Sequence, residues 1–180
     1  MERVEVATDD VDVELELRRW GDEYDVTRGL RGRIVDYGSG PETIELGGFA
    51  GLVSRRPYDP NLWNAGDSLD GDSAALAEAA IAILDELDRE VEVLFMLEHL
   101  VVKPQYRGNG LTGRVIEDAL EVLQCPEALA LVVVIPEPLQ EDGTVLVSEE
   151  PGYDESREKV IAAYEAAGFE RWQDTKVWWR

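Results

Sequence analysis

The stretch Val91-Glu92-Val93-Leu94-Phe95-Met96-Leu97-Glu98-His99-Leu100-Val101-Val102, running on through Lys103-Pro104-Gln105-Tyr106 to Arg107-Gly108-Asn109-Gly110-Leu111-Thr112-Gly113, decides the fold. Its first part is almost continuously apolar, the signature of a strand buried on both faces. Leu129-Ala130-Leu131-Val132-Val133-Val134-Ile135 is a second strand of the same kind. Between them Val115, Ile116, Ala119, Leu120 and Leu123 recur at helical spacing, which predicts a helix from about 110 to 124. Strand, glycine turn, helix and strand make a βαβ unit, whose two strands run parallel because the helix carries the chain back to its starting end.

Outward from this unit the pattern changes. Val11, Val13, Leu15 and Leu17 alternate with Asp12, Glu14, Glu16 and Arg18, which predicts an outer strand with one face in solvent. Residues 31–37 and 44–55 are further strands, separated by Gly38-Ser39-Gly40-Pro41, although Gly47, Gly48 and Gly51 weaken the strand pattern of the second. A polar loop over 57–72 leads to Asp72-Ser73 as N-cap residues and to a helix over 73–89 with Leu76, Ala77, Ala80, Ile81, Leu84 and Leu87 on its inner face. Beyond Ile135 a long loop with a short strand at 144–147 precedes a helix over 155–167. Gly168 suits the left-handed position after that helix, and strands at 169–172 and 175–179 follow. One domain over residues 1–180 is expected, large enough to bury a core unaided.

The chain carries 39 acidic against 17 basic residues, a net charge of -22. Such a surface repels phosphate backbones and anionic membranes, so neither nucleic acid nor membrane is an expected partner, whereas cationic substrates are attracted. The charge also serves solubility. The single cysteine, Cys125, excludes an internal disulfide framework, and with a single histidine no metal centre is expected. The opening Met1-Glu2-Arg3-Val4-Glu5 lacks an apolar leader core and no window approaches the roughly 18 apolar residues of a membrane span, so a soluble cytoplasmic protein is expected. Of the five tryptophans, Trp20, Trp63, Trp172, Trp178 and Trp179, most are expected in the core. Adjacent Trp178 and Trp179 must face opposite sides of a strand, and one of them is a candidate homodimer contact.

The segment from Arg107 to Gly113 lies where a strand meets a helix N-terminus, a place whose free backbone N–H groups and dipole favour an anion. It lacks the Gly-Lys-Ser/Thr ending of a nucleoside triphosphate loop and the Gly-x-Gly-x-x-Gly order of a dinucleotide turn. Leu100-x-Val102-x-Pro104-x-x-Arg107-Gly108-x-Gly110-Leu111 resembles the acetyl-CoA signature of the GCN5-related N-acetyltransferases, in which that arginine begins an Arg-x-x-Gly-x-(Gly/Ala) turn. Thr112 stands where that family commonly has Gly or Ala. A second likeness lies in Val160-Ile161-Ala162-Ala163-Tyr164-Glu165-Ala166-Ala167-Gly168-Phe169, which resembles the family's last helix, typically Ala-x-x-x-Tyr-x-x-x-Gly-Phe, with Val160 in place of the usual alanine.

The resemblance implies an α/β (α+β) fold: a mixed, mostly antiparallel central sheet with a parallel central strand pair, flanked by helices. It also implies acetyl-CoA as co-substrate and an amine as acceptor. On that reading Leu100, Val101 and Val102 offer a strand edge to the pantetheine arm and the oxyanion-stabilising N–H. Arg107, Gly108, Asn109, Gly110, Leu111, Thr112 and Gly113 cradle the pyrophosphate. Tyr164 matches the residue that protonates the departing thiolate, and Glu98 is the candidate base, expected on the face shared by Leu100 and Val102 with His99 on the other as a packed core residue. The resemblance covers residues 91–180. The family's two helices between its first two strands are missing from the N-terminal half, so a catalytically silent acyl-CoA-binding module is the alternative.

Overall fold

The computed structural model describes residues 4–19, 25–38, 42–140 and 144–180. Seven strands form one sheet: β1 (Val11–Arg18), β2 (Arg28–Asp36), β3 (Ile44–Ser54), β4 (Val93–Val102), β5 (Ala130–Val134), β6 (Glu170–Arg171) and β7 (Trp178–Trp179), in the order β1-β2-β3-β4-β5-β7-β6. Every neighbouring pair is antiparallel except β4 and β5. The mixed, mostly antiparallel sheet with one parallel pair is therefore present, and β1 is the outer strand the alternation predicts. Trp20 and the turn at 39–41 lie outside the described residues.

Helices cover both faces. α3 (Leu111–Val122) and α4 (Tyr153–Ala166) lie over one, where Phe95, Leu97, Val115, Ile116, Val132 and Val134 are buried together. α1 (Leu62–Asp67) and α2 (Gly71–Glu86) lie over the other, with Leu76, Ile83, Leu94, Met96, Leu131 and Val133. β4 and β5 contribute to both cores, which is why their sequences show so little polar alternation. Trp178 packs into the first core and Trp179 against the second. Trp63 is exposed.

Several boundaries move for identifiable reasons. α2 starts before Asp72 because Asp70 is the N-cap: its carboxylate accepts from the Asp72 N–H at 3.0 Å and the Ser73 N–H at 2.8 Å. The predicted loop over 57–72 contains the short α1, whose six residues are too few for a helical period to register. The predicted strand at 144–147 is only a single bridge, Leu139 with Val145. Gly168 takes the expected left-handed conformation, φ 84°.

The glycines of β3 mark close backbone approach rather than a broken strand. A Cβ on Gly51 would lie 2.2 Å from the Met96 carbonyl oxygen of β4, a distance no packing adjustment tolerates. Gly51→Ala should therefore destabilise the protein by at least about 2 kcal/mol in urea titration, as forced overpacking does. Gly71→Ala, in the first turn of α2 and with open space around the added methyl, should be neutral or stabilising.

Candidate functional site

β4 has a register break at its centre. On the β3 side Ala50 faces His99 and Gly51 faces Leu97, so Glu98 has no partner and forms a β-bulge. The extra residue shifts the side-chain phase. Before it Val93, Phe95 and Leu97 enter the core under α3 and α4; after it Leu100 and Val102 do. Glu98 instead turns toward α2, where the Ser73 hydroxyl donates to its Oε1 at 3.1 Å. The expectation that Glu98 shares a face with Leu100 and Val102 is thus wrong, because strict alternation does not survive a bulge. His99 does lie opposite Leu100, half-buried in a cross-strand row with Ala50, Arg31 and Glu16.

The same strand loses its other neighbour. β5 pairs with β4 only from Val93 to Leu97, and no other strand continues the pairing on that side among the described residues. Lys103 donates its N–H to Leu46 of the β3 side at 2.8 Å. In an antiparallel ladder bonded and non-bonded pairs alternate, so Val101 and His99 also bond toward β3, while Leu100 and Val102 direct their N–H and C=O groups to the open side. The Arg107 Nε indeed donates to the Val102 carbonyl from that side at 2.8 Å.

This open edge runs directly into the glycine turn. Gly108 and Gly110 are left-handed, φ 79° and 71°, conformations that glycine adopts without steric cost. Gly110 is the N-cap of α3 and offers no side-chain cap, so the amides of the first turn have no side-chain acceptor there. A Cβ on Gly110 would meet nothing within 4 Å. The Asn109 side chain is occupied in the loop itself, donating to the carbonyls of Val4 at 3.0 Å and Tyr106 at 2.9 Å. Arg107 is exposed, and its two terminal nitrogens have no partner among the described residues. Arg114 is turned aside: its Nε lies 2.9 Å from Asp118 Oδ2 in a close ion pair that lacks the alignment of a hydrogen bond.

Tyr164 is the one buried residue of α4, set edge-on to Phe169 with ring centroids 5.2 Å apart. Its hydroxyl has no hydrogen-bond partner among the described residues, and burial raises its pKa far above the ordinary phenol value. Burial thus favours its neutral O–H form. Burial lowers His99, Arg31 adding to the effect, so its imidazole favours the uncharged form. Glu98 is raised. Water reaches part of the side chain, yet the packing around its carboxyl is the largest cause; the Ser73 hydroxyl pulls the other way and Asp70 adds repulsion.

Two hollows of about 630 and 600 Å³ lie elsewhere, one lined by Arg55, Tyr58 and Glu92, the other by Asp9, Asp12 and Glu121; neither is lined by the glycine turn, Glu98 or Tyr164. The candidate site is built from a strand edge and a helix end. Among the described residues no group of acidic, His or Cys side chains is arranged to hold a metal ion, and no helix is long and apolar enough to cross a membrane. Compared with known proteins, the chain matches no family model, no curated protein and no solved structure.

Ser73 and Asp70 are the neighbours of Glu98 that periodicity could not supply, since they approach from α2. Because the folded state raises the Glu98 pKa, the stability linked to its protonation is complete below the ordinary carboxyl pKa and is lost as pH rises through the folded value. Glu98→Gln should thus raise Tm at pH 7 by about 1–3 °C, a modest gain because solvent screens a partly exposed group. The gain should disappear below about pH 4, as a pair of calorimetric scans would show.

Proposed function

We propose that this chain is an acyl-CoA-dependent N-acyltransferase, moving an acetyl group from acetyl-CoA to a primary amine of a small molecule, peptide or protein. The observation that carries the reading is the continuity of the site: an unpaired strand edge at Leu100 and Val102 leads within a few residues to an uncapped helix N-terminus at Gly110. An extended amide-containing arm that ends in a pyrophosphate needs those two features in that order. The arm adds to the strand edge by backbone hydrogen bonds, and the phosphates take the helix-terminal amides. Arg107 supplies positive charge in a strongly acidic protein.

The chemistry asks for a neutral amine, a place for negative charge on the thioester oxygen and a proton for the sulfur. The amine nitrogen attacks the carbonyl carbon, the carbonyl oxygen takes up the charge, and collapse expels the thiolate as the C–S bond breaks. An N–H on the open side of β4, at Leu100 or Val102, suits the oxyanion. Glu98, beside the bulge with its raised pKa, is a base better matched to neutral pH than an ordinary carboxylate. The Tyr164 hydroxyl is the candidate proton donor to sulfur.

The burial of Tyr164 and the turn of Glu98 toward α2 also favour a second reading, a catalytically silent acyl-CoA-binding module. Thiol release measured over a panel of amines, polyamines and basic peptides separates the two. Turnover with any of them supports the enzyme, and cofactor binding without turnover supports the silent module.

Two outcomes are expected of the enzyme. CoA at millimolar concentration should raise Tm, since a ligand bound only by the native state stabilises it, and Gly110→Glu should abolish the shift by placing a carboxylate where phosphates sit. Tyr164→Phe should lower kcat by about 100- to 10,000-fold with CoA affinity nearly unchanged. The wild-type rate should rise with pH as the amine deprotonates and show no phenol limb, because the Tyr164 pKa is raised out of reach.

A further inference from the structure

The glycine turn is held by a segment far from it in sequence. The Val4 N–H donates to the Gln105 carbonyl at 2.8 Å. Asn109 Nδ2 donates back to the Val4 carbonyl at 3.0 Å across a separation of 105 positions, and to the Tyr106 carbonyl at 2.9 Å. Val6, two positions on, packs against the core under α3 and α4. Residues 105–109 are thus stitched from both sides, immediately before the left-handed Gly110 that opens α3.

This matters because of what glycine does. Gly108 and Gly110 reach their positive φ values without strain, but they reach many other conformations as easily. Amides that must converge on one anion lose affinity when the loop carrying them has to be ordered at the moment of binding. We propose that Val4 and Asn109 form a strap that preorganises the turn, so that the affinity of the turn for CoA is set partly by the N-terminal segment. The inference rests on reading the turn as a CoA phosphate cradle. Asn109 acts in it as a positioning residue, because both of its side-chain hydrogen bonds go to protein carbonyls.

The test uses substitutions at either end of the strap. Val4→Pro deletes the N–H that bonds Gln105 without altering the turn's own sequence, and Asn109→Ala deletes the two bonds made by its amide. Val4→Ala keeps the backbone groups and serves as control. CoA affinity is measured by titration calorimetry, and amide hydrogen exchange over 107–113 is followed without ligand. Val4→Pro and Asn109→Ala should each weaken CoA by about five- to twentyfold, the scale of one or two lost hydrogen bonds. Both should speed exchange in the turn while leaving β4 and β5 protected, and Val4→Ala should match wild type. Wild-type affinity and unchanged exchange in both variants would overturn the strap, as would exchange that rises uniformly through the sheet, which marks a general loss of stability. If wild type itself binds no CoA, the cradle reading falls, and the exchange measurements alone then decide whether the strap orders the turn.

Discussion

The site depends on β4 losing two things within a few residues: its regular register with β3 at Glu98, and its pairing with β5 after Leu97. Backbone polar groups inside a protein must find partners. A strand in the middle of a seven-stranded sheet would ordinarily satisfy all of them, yet here the N–H and C=O groups of Leu100 and Val102 face a side where no strand lies among the described residues. The bulge lets this happen without exposing the core, because it rephases the side chains so that Leu100 and Val102 still pack under α3 and α4. One extra residue thus keeps the apolar faces covered while β4 separates from its neighbour.

The rest of the architecture follows from that separation. β5 is only five residues long, and the chain leaves it at Ile135 and Pro136 for the loop that returns through α4. The glycine turn follows β4 and so lies at the C-terminal end of the parallel pair, where the strand edge opens. Open α/β sheets take ligands at this end of their strands, at the crevice where neighbouring connections part. On the proposed reading the acidic surface would work against an anionic ligand, leaving the oriented amides and Arg107 to hold it, since the Arg114 side chain is held by Asp118.

Much of this was legible in the sequence, and the exceptions have physical causes. The parallel pair was readable because strands buried on both faces carry few polar residues, and β1 because a half-exposed edge strand must alternate. The left-handed Gly168 was readable from its residue type and place after a helix. The face of Glu98 was not, since a bulge is fixed by pairing with β3 rather than by any residue in β4. Ser73, Asp70 and Val4 were equally out of reach, because each approaches the site from a distant element. The glycines of β3 weakened a strand signal that holds in the structure, for a related reason: Gly51 and Gly47 accommodate the Met96 and Val101 carbonyls of β4, which only the assembled sheet reveals.

α4 has one further implication. It is fourteen residues long, yet Tyr164 is the only side chain it buries, with Val160 and Ile161 half-covered against the core. A helix attached at so few points has a low free energy of local opening compared with the sheet beneath it. It is also the element that carries the candidate proton donor. Stilling it on ligand binding has an entropic cost, so the affinity measured for any ligand that needs α4 in place is lower than its contacts alone would give. Substitutions on the outer face of α4 that raise its intrinsic helicity would then tighten binding from a surface that touches neither ligand nor core.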